Sequence, residues 1–113
     1  MRFLLLLRGD EAAEAALSPA DRRAIVEAHI EYSRRLRSDG RFVYGDPLEA
    51  SSGAARIRRD GSVVDGPFPE TKEALGGYYI VDVPDRAIAI ELARAVPDSP
   101  GRVVDVHPIA DMT

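Results

Sequence analysis

The sequence predicts an α+β fold in which an antiparallel sheet carries two helices on one face. Three observations support this. Two segments have helical start and stop signals; short apolar runs of strand character flank and separate them; and a turn-linked pair of short strands is inserted between the second and third long runs. The order βαβ(ββ)βαβ points to a ferredoxin-like sandwich. At 113 residues the chain is expected to form a single domain over 1–113 that holds a core without disulfides or a structural metal.

Phe3 to Leu7 is a continuous apolar run closed by Arg8-Gly9-Asp10, which suits a strand buried on both faces. Its five apolar residues are too few for a secretory signal, which needs about 7 to 15. No run approaches the roughly 20 residues of a membrane span. A soluble cytoplasmic protein is expected.

After a loop or short helical piece at Glu11 to Ala16, Ser18-Pro19-Ala20-Asp21 offers an N-cap, a proline at the first helical position and a first-turn acid. The helix should run from Pro19 to about Asp39 and stop at Gly40. At roughly 100° per residue, Ile25, His29, Tyr32 and Leu36 form one stripe, so His29 points with the apolar face. Arg41 to Gly45 reads as a strand ended by Asp46-Pro47.

Ala55 to Arg59 and Ser62 to Asp65 flank Asp60-Gly61, the dipeptide favoured in a type I′ hairpin. Gly77 to Val83 is a strong strand with Tyr79, Val81 and Val83 on one face and Tyr78, Ile80 and Asp82 on the other. Pro84-Asp85 should cap a second helix reaching Val96, and Gly101 to Ile109 supplies the last strand. Two helices cover only one face of such a sheet, yet strand one and the Tyr78 to Val81 run are apolar on both. The second face calls for a partner, most simply the same sheet of a second copy.

Composition removes several functions. With no cysteine, thiol catalysis and thiolate metal sites are excluded, and a net charge of −4 argues against a nucleic-acid surface. The pairs Arg22-Arg23, Arg34-Arg35 and Arg58-Arg59 read as solvated positions. No dinucleotide fingerprint, phosphate loop, serine-hydrolase elbow or zinc spacing occurs, so no cofactor or metal is expected.

The chemistry-bearing residues concentrate in two places. His29, an imidazole on an apolar stripe, can serve as a proton donor or acceptor, or else as a structural histidine bonded to a carbonyl or near Tyr32. Asp65-Gly66-Pro67-Phe68-Pro69-Glu70-Thr71-Lys72-Glu73 places acids and the chain's single lysine in one connection between apolar runs. Asp65 and Glu70 are candidate carboxylate partners for His29, although a turn and a cap account for them equally well. Lys72 is a candidate for holding an anionic group. Tyr78 and Tyr79 read first as core or interface aromatics, with Tyr78 kept beside Thr71 and Lys72 as a candidate ligand contact. Gly76-Gly77 fits a bulge or a close backbone approach.

These motifs together resemble the YCII-related family in its DGPF-domain branch. The first strand Arg2 to Asp10, the tetrapeptide Asp65 to Phe68 and the continuation Glu70 to Gly77 carry the resemblance across nearly the whole chain. It implies ferredoxin-like units paired as a dimeric α+β barrel. It also implies a role for His29, eleven residues before Gly40, where the wider family has a histidine proposed to pair with an aspartate. That aspartate is expected just before Pro97; here Val96 stands there, and Asp98 is displaced by two positions.

Two functions are therefore expected. One is a cofactor-independent lyase or isomerase acting on a small polar metabolite, with His29 for proton transfer, Asp65 or Glu70 assisting, and Lys72 holding a negative group. The other is a non-catalytic ligand-binding or regulatory module, since the resemblance also implies association with extracytoplasmic-function sigma factors. An enzyme needs a partner that orients the His29 ring and a pocket beside it; a partner module needs an exposed apolar patch.

Overall fold

The computed structural model describes residues 1–68 and 73–112. Its elements run β1 (Arg2–Gly9), α1 (Glu11–Ala15), α2 (Pro19–Ser38), β2 (Phe42–Pro47), a 3-10 turn (Ser51–Gly53), β3 (Ala55–Ile57), β4 (Val63–Asp65), β5 (Ala74–Asp82), α3 (Arg86–Arg94) and β6 (Val103–Pro108). The long strands form a four-stranded sheet of order β2-β5-β1-β6, antiparallel at every pairing, and β3 and β4 form a separate two-stranded sheet. This is the α+β, ferredoxin-like arrangement expected from the sequence.

Local signals set the helix ends. The Ser18 hydroxyl accepts from the Asp21 N–H at 3.1 Å, with Pro19 in the first turn. At the other end Gly40 takes φ +68°, the Arg41 N–H donates to the Leu36 carbonyl and the Gly40 N–H to the Arg37 carbonyl. That pair of bonds is a Schellman stop, which needs the left-handed glycine. Asp85 caps α3 by accepting from the Ile88 N–H at 3.0 Å.

Phe3, Leu5, Tyr79 and Val81 project from the two central strands into a core shared with Tyr32 and Leu36 of α2 and Ala89 and Ala93 of α3. Leu5 and Val81 are wholly inaccessible to solvent. The alternate residues Leu4, Leu6, Tyr78 and Ile80 point to the opposite face, where none of the described elements is packed over them and they stay half-buried.

Two sequence expectations change in detail. β2 extends through Pro47, which pairs with Gly77, because β2 is an edge strand and a proline there forfeits no ladder bond. The β3–β4 connection is not a type I′ turn: among the described residues none but glycine has positive φ, so Asp60 keeps an ordinary backbone and, of the two, Gly61 alone takes a positive value, φ +88°. Arg58 accepts from the Gly61 N–H and donates its own N–H to Ser62, both at 2.9 Å. The loop is therefore Arg59-Asp60-Gly61, a turn closed by a glycine bulge.

Candidate functional site

His29 lies on the sheet-facing stripe of α2, as its spacing from Tyr32 and Leu36 requires, and is half-buried. Its Nδ1 is 2.8 Å from the Tyr79 hydroxyl, and the two rings lie nearly parallel, 14° apart, with centroids 6.0 Å apart. The edge of Tyr32 meets the Tyr79 ring at 5.1 Å, and the Tyr32 hydroxyl donates to the Leu92 carbonyl at 2.6 Å. Three aromatic side chains thus link α2, β5 and α3, with a hydrogen bond at each end.

Burial pushes the His29 pKa below its ordinary value and the Tyr79 pKa above its own. Near neutral pH the pair is therefore an imidazole and a phenol, both uncharged. A phenol both donates and accepts, so it supports either imidazole tautomer, whereas a carboxylate would fix Nδ1 as the donor. The second ring nitrogen, Nε2, is not engaged by Tyr79.

Among the described residues, no hydrogen bond joins the other predicted residues to His29. Tyr78, one residue from Tyr79, projects to the opposite face of the sheet, where it stacks on Tyr44 at 6.4 Å and its hydroxyl donates to Asp46 at 3.3 Å. Asp65 ends β4 opposite Ala55, and among the described residues no hydrogen bond or ion pair joins it to His29. Glu70, Thr71 and Lys72 lie outside the described residues. Val96, where the resemblance implies an aspartate, is a core residue, and the carboxylate of Asp98 is almost fully exposed beside Arg102.

The Asp65 to Phe68 tetrapeptide serves packing. A Cβ on Gly66 would fall 2.0 Å from the Ser51 carbonyl oxygen, so the backbone closes there only because position 66 has no side chain. Ser51 is in turn held by Glu11, whose two carboxylate oxygens accept from the Ser51 N–H at 2.6 Å and its hydroxyl at 2.7 Å. Phe68 lies under the Arg56 guanidinium, 4.0 Å from the ring centroid. The motif thus fastens the β3–β4 arm to the 3-10 turn and to α1.

The sequence reading did not foresee the tie between His29 and Tyr79. The signal was present: the helical period put His29 on the core face of α2, and the strand period put Tyr79 on the core face of β5.

Among the described residues no group of three or more His, Asp or Glu side chains is placed to hold a metal ion, and no helix is long and apolar enough to cross a membrane. Two open cavities occur, and neither is lined by His29 or Tyr79, so neither is the pocket that the enzyme reading asks for beside the imidazole. One is lined by Leu17, Pro19, Arg22, Arg23 and Val26 at the start of α2; the other runs along β6 past Leu4, Leu6, Arg8, Asp105 and His107.

A family model described as the YCII-related domain matches residues 1–113. The chain is also 29% identical over 97 residues to an uncharacterised protein of Rhizobium meliloti (strain 1021), an alignment covering 83% of this chain and 78% of the relative.

Proposed function

The chain belongs to the YCII-related family, and from that premise we propose that it is a small-molecule enzyme of lyase or isomerase type in which His29 transfers the proton. The observation that carries this reading is the 2.8 Å contact between His29 Nδ1 and the Tyr79 hydroxyl. It orients a half-buried imidazole that burial keeps neutral, with Nε2 left for a substrate. With Nδ1–H donated to the phenol oxygen, Nε2 is a base; once protonated, it returns the proton to another carbon or to a leaving group. Such a transfer needs no redox partner. Glu70 or Asp65 would assist and Lys72 would hold an anionic group, with Thr71 as a further ligand contact.

The working form in this proposal is a homodimer in which the faces bearing Leu4, Leu6, Tyr78 and Ile80 meet across a two-fold axis.

The test uses small polar acids with an exchangeable C–H beside a carbonyl, incubated with the protein in D2O and followed by proton NMR. Exchange by the wild type should fall about 100-fold or more in His29→Asn, the usual scale of acid–base catalysis. Exchange that survives His29→Asn, or no exchange of any compound tested, refutes the reading.

A second reading, a non-catalytic module that docks a protein such as a sigma factor, is favoured by Val26 and Ile30. These lie one turn apart on the outer side of α2, each 53% exposed, and Val26 borders the open cavity there. Titration of labelled protein with an extracytoplasmic-function sigma factor would move the Val26 and Ile30 signals if this reading holds, and leave them in place if it does not.

A further inference from the structure

Tyr79 stands opposite Gly45 in the β2–β5 register. Both positions face the helices, so any side chain at position 45 would rise beneath the phenol ring. A Cβ placed there falls 2.7 Å from Tyr79 Cδ1 and 3.3 Å from Cε1, and 2.9 Å from the Tyr78 carbonyl oxygen. These approaches lie well inside the roughly 3.5 to 4.0 Å at which carbon atoms attract.

The backbone dihedrals do not themselves demand a glycine here, although the Tyr78 carbonyl, 2.9 Å from the added Cβ, would have to give way as well as the ring. Among the described residues positive φ occurs only at Gly40, Gly61 and Gly101, so Gly45 sits in a strand conformation open to any residue, where glycine weakens the strand. Its missing side chain leaves room for the Tyr79 ring. The edge of Tyr32 bounds the ring elsewhere, and the hydroxyl end reaches His29.

We propose that Gly45 is a positioning residue for the His29–Tyr79 pair: it lets the phenol ring lie against the β2 backbone, which places the hydroxyl on His29 Nδ1. The proposal rests on the reading of His29 as the proton-transferring group, but its geometry can be tested without a substrate. Any side chain at position 45 lifts the ring, and the hydroxyl leaves Nδ1 although both partners are still present.

The experiment is a side-chain nitrogen NMR titration of His29 in the full chain. Tyr79→Phe defines the signals of a His29 without its partner. Gly45→Ala should move the His29 titration midpoint and Nδ1 shift to the Tyr79→Phe values. Gly53→Ala, where an added Cβ meets nothing within 4 Å, should leave them at wild type. Combining Gly45→Ala with Tyr79→Phe should add nothing further. Wild-type His29 signals in Gly45→Ala, or a further shift in the double variant, overturn the proposal.

If Gly45→Ala does not fold, Tyr79→Val alone and combined with Gly45→Ala decides: folding restored by removing the ring supports the proposal, whereas a double variant that fails to fold while Tyr79→Val folds assigns the glycine to the Tyr78 carbonyl and refutes it. The two readings fail separately. Loss of the His29 signature in Gly45→Ala with deuterium exchange intact in His29→Asn would sink the catalytic reading alone.

Discussion

Replacing Gly66 with alanine should release the β3–β4 arm while leaving the main sheet intact. The added Cβ would lie 2.0 Å from the Ser51 carbonyl oxygen, and real Cβ atoms essentially never come within 3.0 Å of a neighbour, so the two backbones must separate by at least 1.0 Å. Three hydrogen bonds cross or brace that contact: Gly66 N–H to the Ala54 carbonyl at 2.7 Å, and the two from Ser51 to Glu11. A neutral bond contributes about 1 kcal/mol and a charged one about 1.5 to 3 kcal/mol, with partial exposure favouring the lower end. The loss is then about 4 kcal/mol.

None of these groups belongs to the core around Leu5 and Val81, so the opening should be local. Native-state hydrogen exchange is the assay. The amides of Ser51 and position 66 should exchange on the order of 1,000-fold faster, since about 1.4 kcal/mol is a factor of ten, while the β1 and β5 amides keep their protection. Unchanged exchange at Ser51 and position 66 would refute the close contact. A uniform loss across the sheet would refute the independence of the arm.

Three further outcomes follow from the same contacts. Tyr32→Phe should cost about 1 kcal/mol in urea unfolding, a single neutral hydrogen bond, because the Leu92 carbonyl still accepts from the Ala95 N–H at 3.2 Å and is not orphaned. The pKa of His29 is lowered in the folded state, so below its ordinary 6.5 the unfolded chain takes up a proton that the native state refuses. Stability should therefore decline as pH falls from about 6.5 through the lowered native value, a slope absent from His29→Asn in the same denaturation series. Leu6→Asp, on the uncovered sheet face, should abolish the proposed dimer in sedimentation equilibrium while circular dichroism is unchanged; a wild-type monomer at micromolar concentration would refute the pairing.

The helices were legible in the sequence because their boundaries are set within a few residues: Ser18 and Pro19 start α2, and Gly40 stops it through bonds to its own last turn. The central strands were legible because buried runs such as Phe3 to Leu7 have few other uses. Asp60-Gly61 misled because the dipeptide permits positive φ at both positions without requiring it, and the chain uses it only at Gly61. The clasp of Glu11, Ser51 and Gly66 left no trace, since Glu11 and Ser51 are 40 residues apart and no periodicity relates them. His29 was legible as a residue facing the core, but its partner, 50 residues away, was not.

The tetrapeptide and the tyrosine pair differ in what they show about where function resides. Asp65 to Phe68 is the most distinctive stretch of the sequence, yet its glycine and phenylalanine are occupied by the Ser51 carbonyl and the Arg56 guanidinium. Tyr78 and Tyr79 look interchangeable and are not: a strand sends neighbours to opposite faces, so Tyr78 goes to the uncovered surface and Tyr79 to His29. A one-residue slip of β5 would exchange the two. What prevents it is burial. Tyr79 and Val81 are core residues whose partners on β1, Leu5 and Phe3, are also in the core, and the odd residue, Gly76, is taken up in the bulge opposite Leu7 and Arg8. The register that keeps the core dry is therefore also what delivers a hydroxyl to His29, and the core could not be re-registered without dismantling the candidate site.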